Sequence, residues 1–371
     1  MALVNGVKQM NNELVIIGAG PAGLSAAKEA ALLGVKVLII DENDRPGGQL
    51  FTQTHKFFGS KEHDAGIRGF QIGERLLEEI KKLDVEILLN TTAFGIFPDK
   101  TIMFSVLNEK IQKIEAKNIL IATGGLEKPV IFKGWTLPGV MGAGAAQTMM
   151  NVFRVLPGKR ALMVGTGNVG LIVSYQLKQA GCEVIGVIDI MPKISGYRVH
   201  ASKIRRARVP IMVSHTIKEA RGNNLVESAI ITEVDSSCRM MKSNEFEVEC
   251  DLICIAAGLQ PFNELCWALK MEMKYIGVLG GFVPVHDNNM ETSIKNIFVA
   301  GDLAGIEEAS TAMEEGKLAG IACAKNLEYI SEKEFKNKAN EINERLNQLR
   351  LGSFGIEREK AKQLLLSACS N

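Results

Sequence analysis

Wholly apolar runs that break into glycine recur along this chain and set its organisation. The first, Val15-Ile16-Ile17, gives way to Gly18-Ala19-Gly20-Pro21-Ala22-Gly23, then to a helical stretch from Leu24 to Leu33 that Gly34 stops. A second apolar run, Val37-Leu38-Ile39-Ile40, ends at Asp41. This order predicts strand, tight turn, helix and strand. An amphipathic helix is expected from about Gln71 to Leu83, a strand over Val85 to Leu89, and a β-meander over 91–97, 101–106 and 111–114. Lys117 to Gly125 reads as a buried strand ending in a glycine turn, Gly134 to Val140 as a connection, and Ala143 to Phe153 as a helix leading out of a first domain.

The same pattern then returns. Ala161-Leu162-Met163-Val164 breaks into Gly165-Thr166-Gly167-Asn168-Val169-Gly170, a helix runs to Gly181, and Val184 to Ile188 forms the strand before Asp189. In both copies a glycine follows eleven residues after the last turn glycine, as if from one template. Val209 to Val213, Leu225 to Glu233 and Glu245 to Glu249 read as a strand and hairpin, and Asp251 to Ala257 as a closing strand. Near the end, Ile297 to Ala300 runs into Gly301-Asp302, a glycine-bearing loop and a helix from Ser310 to Leu327 that carries Thr311. Beyond Glu328 the pattern is charged and helical, with Phe335, Ile342, Leu346, Leu349 and Leu351 in one apolar stripe, fit either to dock on the core or to meet a partner.

Each glycine of such a turn replaces a side chain that would obstruct something. The first permits the turn, the second lets backbone reach a pyrophosphate at the helix N-terminus, and the third lets helix press on strand. Asp41 lies eighteen residues beyond Gly23, where a carboxylate meets a ribose diol. Asp189 lies nineteen beyond Gly170; there its charge favours NAD over NADP, unless the one-residue slip turns it to solvent. The loop Glu42-Asn43-Asp44-Arg45-Pro46-Gly47-Gly48-Gln49 offers close backbone approach to a flat or phosphorylated ligand, or is a surface turn. Asp302 is placed to bind a ribityl hydroxyl or to cap the helix that follows.

Composition narrows the classes. At 371 residues the chain suggests two domains, and 46% apolar content supports full-sized cores. Its 43 basic and 42 acidic residues nearly cancel, which argues against holding nucleic acid or a membrane surface by long-range charge. No apolar run approaches bilayer length and Met1 to Asn12 is too short and polar for a signal peptide, so the expected location is the cytoplasm. Seven cysteines include no Cys-x-x-Cys pair, so no zinc knuckle or dithiol redox centre is offered. Cys250 and Cys254 are expected on one face of one strand, as core residues. His55 and His63 lack a third ligand for a metal.

With these motifs in place, residues 13 to 330 resemble the two-dinucleotide-domain flavoproteins, the superfamily of thioredoxin and glutathione reductases. The resemblance implies an α/β fold of two Rossmann-like three-layer domains, the NAD domain inserted into the FAD domain: 1–152 and 259–330 for FAD, 153–258 for NAD(P), and a helical tail over 331–371. It implies that Gly18, Gly20, Pro21, Ala22, Gly23, Asp41, Glu42, Arg45, Gly48, Gln49, Ala93, Thr123, Gly124, Gly301, Asp302 and Thr311 bind FAD. Gly165, Gly167, Asn168, Val169, Gly170 and Asp189 then bind NAD. Arg45-Pro46-Gly47-Gly48-Gln49 and Trp135-Thr136-Leu137-Pro138-Gly139-Val140 look like one subgroup, the flavin subunits of hydrogen cyanide synthase, opine oxidase and dye-linked proline or hydroxyproline dehydrogenases, similar to the α subunit of sarcosine oxidase.

Several members of that subgroup carry a C-terminal cysteine cluster for a [2Fe–2S] centre, whereas here only Cys369 follows Gly355. The subgroup implies an electron-transferring subunit that works beside a small iron–sulfur protein and an amine-oxidase-like flavin subunit, with neither a catalytic residue nor a metal in this chain. Two other readings stay open: a stand-alone NADH-dependent FAD oxidoreductase passing electrons to a soluble or protein acceptor, and a nucleotide-binding scaffold subunit.

Overall fold

A computed structural model describes residues 12–107 and 109–366. Residues 1–11, most of the segment read as too short and polar for a signal peptide, and Cys369 lie outside it. In chain order the elements are β1 (Asn12–Ile17), α1 (Pro21–Leu32), β2 (Val37–Ile40), α2 (Gly69–Ile80), β3 (Val85–Leu88), β4 (Thr91–Ile96), β5 (Thr101–Val106), β6 (Lys110–Ile121) and β7 (Gly125–Glu127). There follow β8 (Val140–Gly142), α3 (Ala143–Asn151), β9 (Arg160–Val164), α4 (Asn168–Gln179), β10 (Glu183–Asp189), α5 (Arg198–Arg206), β11 (Ile211–Val213), β12 (His215–Arg221), β13 (Ser228–Val234), β14 (Met240–Glu249) and β15 (Leu252–Ile255). The chain closes with β16 (Leu259–Pro261), α6 (Glu264–Ala268), β17 (Met273–Ile276), β18 (Gly281–Pro284), β19 (Ile297–Val299), α7 (Ala309–Asn326), α8 (Glu332–Leu349) and α9 (Ser353–Leu366). Two compact units result, one of residues 1–126 with 260–371 and one of residues 127–259.

In the first unit β1 pairs in parallel with β2 on one side and β6 on the other, and β19 runs parallel to β6 beyond it. The four strands therefore present their carboxyl ends along one edge, with the direction of winding reversing at β1, where an open α/β sheet binds ligands. β6 serves two sheets: its first half pairs antiparallel with β5 and its last three residues pair with β19. The sequence pattern suggests two strands here, because the burial periodicity changes from alternating to continuous where the partner changes. Helices α1 and α7 cross closely, since a Cβ on Gly316 would lie 2.1 Å from the Ala22 carbonyl oxygen and one on Gly320 2.5 Å from that of Ala26.

The tail folds back on this unit. Phe335, Ile342 and Leu346 of α8 join its core, while Ala361 and Leu365 of α9 bury against Ile276, Leu279 and Val283. Three members of the expected stripe, Phe335, Ile342 and Leu346, are thus covered by the chain itself, while Leu349 is part-buried and Leu351 is 73% exposed. Ser331 and Glu334 form a reciprocal capping box that starts α8.

In the second unit a parallel sheet of order β11-β10-β9-β15-β8 is sandwiched between helices and an antiparallel sheet β12-β13-β14. Alternate residues of one strand feed the two cores: Ala161 and Met163 pack with α3 and α4, Leu162 and Val164 with Ile217 and Ile231. Helix α3 belongs here and does not close the first domain, because Val140–Gly142 pairs with β15 and draws the following helix onto the second sheet. Cys250 and Cys254 also differ from expectation. A break at Cys250–Asp251 separates β14 from β15, so the two thiols enter different cores. Burial pushes Cys182 up to about 11 and Cys250 and Cys266 up to about 12, which leaves all three inert as thiolates at neutral pH.

Candidate functional site

The two glycine turns have one geometry. At the first, Gly18 has φ +109°, and a Cβ there would meet the Ala122 carbonyl oxygen at 2.3 Å; a Cβ on Gly23 would meet the Gly18 carbonyl oxygen at 1.9 Å. At the second, the corresponding approaches are 2.2 Å from Gly165 to Ala256 and 2.1 Å from Gly170 to Gly165. The middle glycines differ in kind. A Cβ on Gly20 meets nothing within 4 Å, and one on Gly167 only the Ser195 hydroxyl at 4.0 Å. The space beside each middle glycine lies at a helix N-terminus, where amides and helix dipole suit a pyrophosphate. Both turns therefore fit a dinucleotide.

The two aspartates are alike as well. Asp41 accepts the Ala19 amide at 2.6 Å and the Asn43 backbone and side-chain amides at 2.8 Å each. Asp189 accepts the Thr166 amide at 2.7 Å, the Met191 amide at 2.9 Å and the Thr166 hydroxyl. Each aspartate is 7% exposed, and its carboxylate has three of its roughly four acceptor positions engaged, leaving about one for a sugar hydroxyl. The one-residue slip does not turn Asp189 outward. Asn43 and Thr166, which hold the two acids, were not singled out from sequence; the signal was there in a polar residue two after Asp41 and in the second turn itself.

Around the first turn the predicted residues converge from separate segments. Pro21 opens α1, and Ala22 on its first turn is buried under Gly301, whose Cβ would lie 2.9 Å from that of Ala22. The loop after β2 returns to the turn: the Gly47 amide donates to the Ala19 carbonyl at 2.7 Å, and a Cβ on Gly48 would lie 2.9 Å from the Gly20 Cα. Glu42, Arg45 and Gln49 are exposed on that loop, with the Arg45 guanidinium 4.0 Å from the Phe51 ring centre. Ala93 lies on β4, whose first amide, that of Thr91, donates to the Asp41 carbonyl at 2.9 Å. Thr123 donates its hydroxyl to the Phe262 carbonyl at 2.7 Å, and Gly124, at φ +76°, has open space beside it. Thr311 is buried in the first turn of α7. In the second unit Asn168 accepts the Tyr197 amide at 2.8 Å and Val169 is exposed.

The Gly301-Asp302 turn sits on a buried polar cluster. The Gly301 amide donates to Glu315 at 3.1 Å. Burial pushes the Asp302 carboxyl up to about 6; the backbone amide of Glu307 opposes this, and the Glu315 and Glu307 charges add to it. His286, on the same side, is held down to about 3 by burial and by the Lys362 and Arg350 charges. Its stabilising effect is therefore full above its ordinary value of 6.5 and is lost as pH falls from there toward 3. Asp302 works in the opposite direction, so the comparison that isolates the histidine is with a His286→Gln protein. Thermal melts at stepped pH should show the wild type losing stability relative to that variant below pH 6.5 and not above it.

Two dinucleotide cradles, each on its own Rossmann-like unit, define a two-domain nucleotide-linked oxidoreductase fold. The chain belongs to the pyridine nucleotide-disulphide oxidoreductase family, whose description matches residues 12–316. It is an FAD-dependent oxidoreductase with FAD- and pyridine-nucleotide-binding character. It is 27% identical over 335 residues to one subunit of the opine oxidase of Agrobacterium tumefaciens, covering 86% of this chain and 66% of that one. It is 26% identical over 375 residues to hydrogen cyanide synthase subunit HcnB of Pseudomonas aeruginosa, covering 94% and 78%. In fold it is similar to thioredoxin reductase of T. acidophilum, with a TM-score of 0.68 at 21% identity over 85% of this chain and 98% of that one. Among the described residues no helix is long and apolar enough to cross a membrane, and no three His, Cys, Asp or Glu side chains are grouped to hold a metal ion.

Proposed function

We propose that this chain is the electron-transferring flavin subunit of a complex that dehydrogenates an amino acid or secondary amine of the proline, hydroxyproline, opine or sarcosine type. The observation that carries the reading is the pair of matched cradles on a chain whose sequence contains no Cys-x-x-Cys dithiol. In it Gly18, Gly20, Gly23, Asp41, Thr123, Gly124, Gly301 and Asp302 hold FAD, and Gly165, Gly167, Gly170 and Asp189 hold NADH. When bound, the two cofactors supply hydride transfer between nicotinamide and flavin, chemistry that needs positioning and dryness rather than an acid or base. The residues of the chain accordingly orient: Asp41 and Asp302 fix sugar hydroxyls, and the glycine-turn amides hold phosphates.

Electrons that an amine-oxidase-like flavin subunit takes from the amine would reach this chain and, with no dithiol here to receive them, would leave to a small iron–sulfur protein or to a soluble acceptor. The names of the relatives, which call them subunits of opine oxidase and of hydrogen cyanide synthase, support an assembly. Asp189 supports NADH over NADPH, because a buried carboxylate tied to the turn repels a 2′-phosphate. Rapid mixing with each nucleotide tests this preference: NADH should reduce the flavin faster, and faster reduction by NADPH would remove Asp189 from the ribose site. The reading as one member of a complex is tested by assaying the purified chain with proline, hydroxyproline, sarcosine and opines under a dye acceptor. No turnover is expected, and robust turnover by this polypeptide alone would place the amine chemistry here.

A further inference from the structure

The tail helices α8 and α9 lie beyond residue 316, where the family match ends, yet they reach the Gly301-Asp302 turn by two buried routes. Along one, Lys362 of α9 donates to the Ala304 carbonyl at 2.8 Å and to Glu315 at 2.8 Å, and the other oxygen of Glu315 accepts the Gly301 amide. Along the other, Arg350 grips Glu307, five residues beyond Asp302 on the segment that leaves the turn, with two bonds of 2.7 and 3.0 Å. Arg350 also donates to Glu315 at 2.9 Å, which ties the two routes together. The side chains of Lys362, Glu315 and Glu307 are 5%, 3% and 6% exposed. Ion pairs so enclosed are costly to desolvate, and a chain needing only to anchor two helices would use apolar contacts, as α8 does through Phe335 and Ile342.

We propose that Arg350 and Lys362 are positioning residues of the flavin site, which clamp the Gly301-Asp302 turn so that Asp302 meets the ribityl chain in a fixed orientation. The proposal rests on the reading that this turn holds FAD. A two-pronged guanidinium–carboxylate contact fixes direction as well as distance, which is what an orienting role requires.

The test is FAD titration of the apoprotein, followed by fluorescence, beside titration with NADH, for the parent chain, Lys362→Met, Lys362→Arg and Arg350→Lys. Lys362→Met should weaken FAD binding about tenfold or more and leave NADH binding within about twofold, since the tail is built into the first unit only. Lys362→Arg should restore most of the loss, and Arg350→Lys, which keeps the charge and loses the fork, should fall between. If Lys362→Met does not fold, Arg350→Lys carries the same criterion. Variants that bind FAD like the parent, or that lose FAD and NADH together, overturn the proposal. A parent chain that takes up no FAD overturns the flavin reading itself, and does so before any substitution is made.

Discussion

Replacing Gly20 with aspartate should give a protein that folds normally and is colourless. Gly20 is the N-cap of α1 with φ −77° and ψ −173°, a conformation open to any residue, and α1 has no side-chain cap. Aspartate is among the preferred N-cap residues and nothing lies within 4 Å of the position its Cβ would take. The apoprotein should therefore melt at the same temperature or slightly higher. The new carboxylate, however, occupies the space beside the amides where a pyrophosphate would sit. Like charges in such contact cost several kcal/mol, which is on the order of a hundredfold or more in FAD affinity. Flavin titration and a thermal melt of the same preparation check both halves. A Gly20→Asp protein that stays yellow would mean the turn does not hold the cofactor.

The matching change in the second unit, Gly167→Asp, should leave the protein yellow and make it unresponsive to NADH. Gly167 is likewise an uncapped N-cap, with φ −64° and ψ 173°, and its added side chain has only Ser195 near it. FAD content should be unchanged, reduction by dithionite should proceed, and NADH binding should fall by a similar factor of about a hundred. At both helices a residue that would cap the N-terminus is absent where a ligand needs the room. Loss of FAD from this variant would mean that the two cradles are not independent.

Much of this was legible in the sequence because backbone geometry dictates it. The first and third glycines of each turn are required by the approaches at Gly18, Gly23, Gly165 and Gly170, and no other residue satisfies them. Apolar runs ending in Gly or Asp mark strand ends for the same reason. Strand β12 escaped notice because His215-Thr216-Ile217-Lys218-Glu219-Ala220-Arg221 buries only Ile217 and Ala220, too few to show a period. Whether the tail stripe is covered by its own chain or by another is not written in the stripe. Glu315 and Lys362, each about as buried as the core, look from sequence like solvated charges, since their partners lie 47 residues apart.

One chain that carries both a flavin and a nicotinamide site should pass hydride between them when the FAD-loaded protein is mixed anaerobically with NADH and the flavin's visible absorption is followed. Rapid bleaching, with one NADH consumed per flavin, is the predicted result. A fully loaded flavin that NADH leaves oxidised, while dithionite reduces it, would mean that the two sites do not exchange hydride.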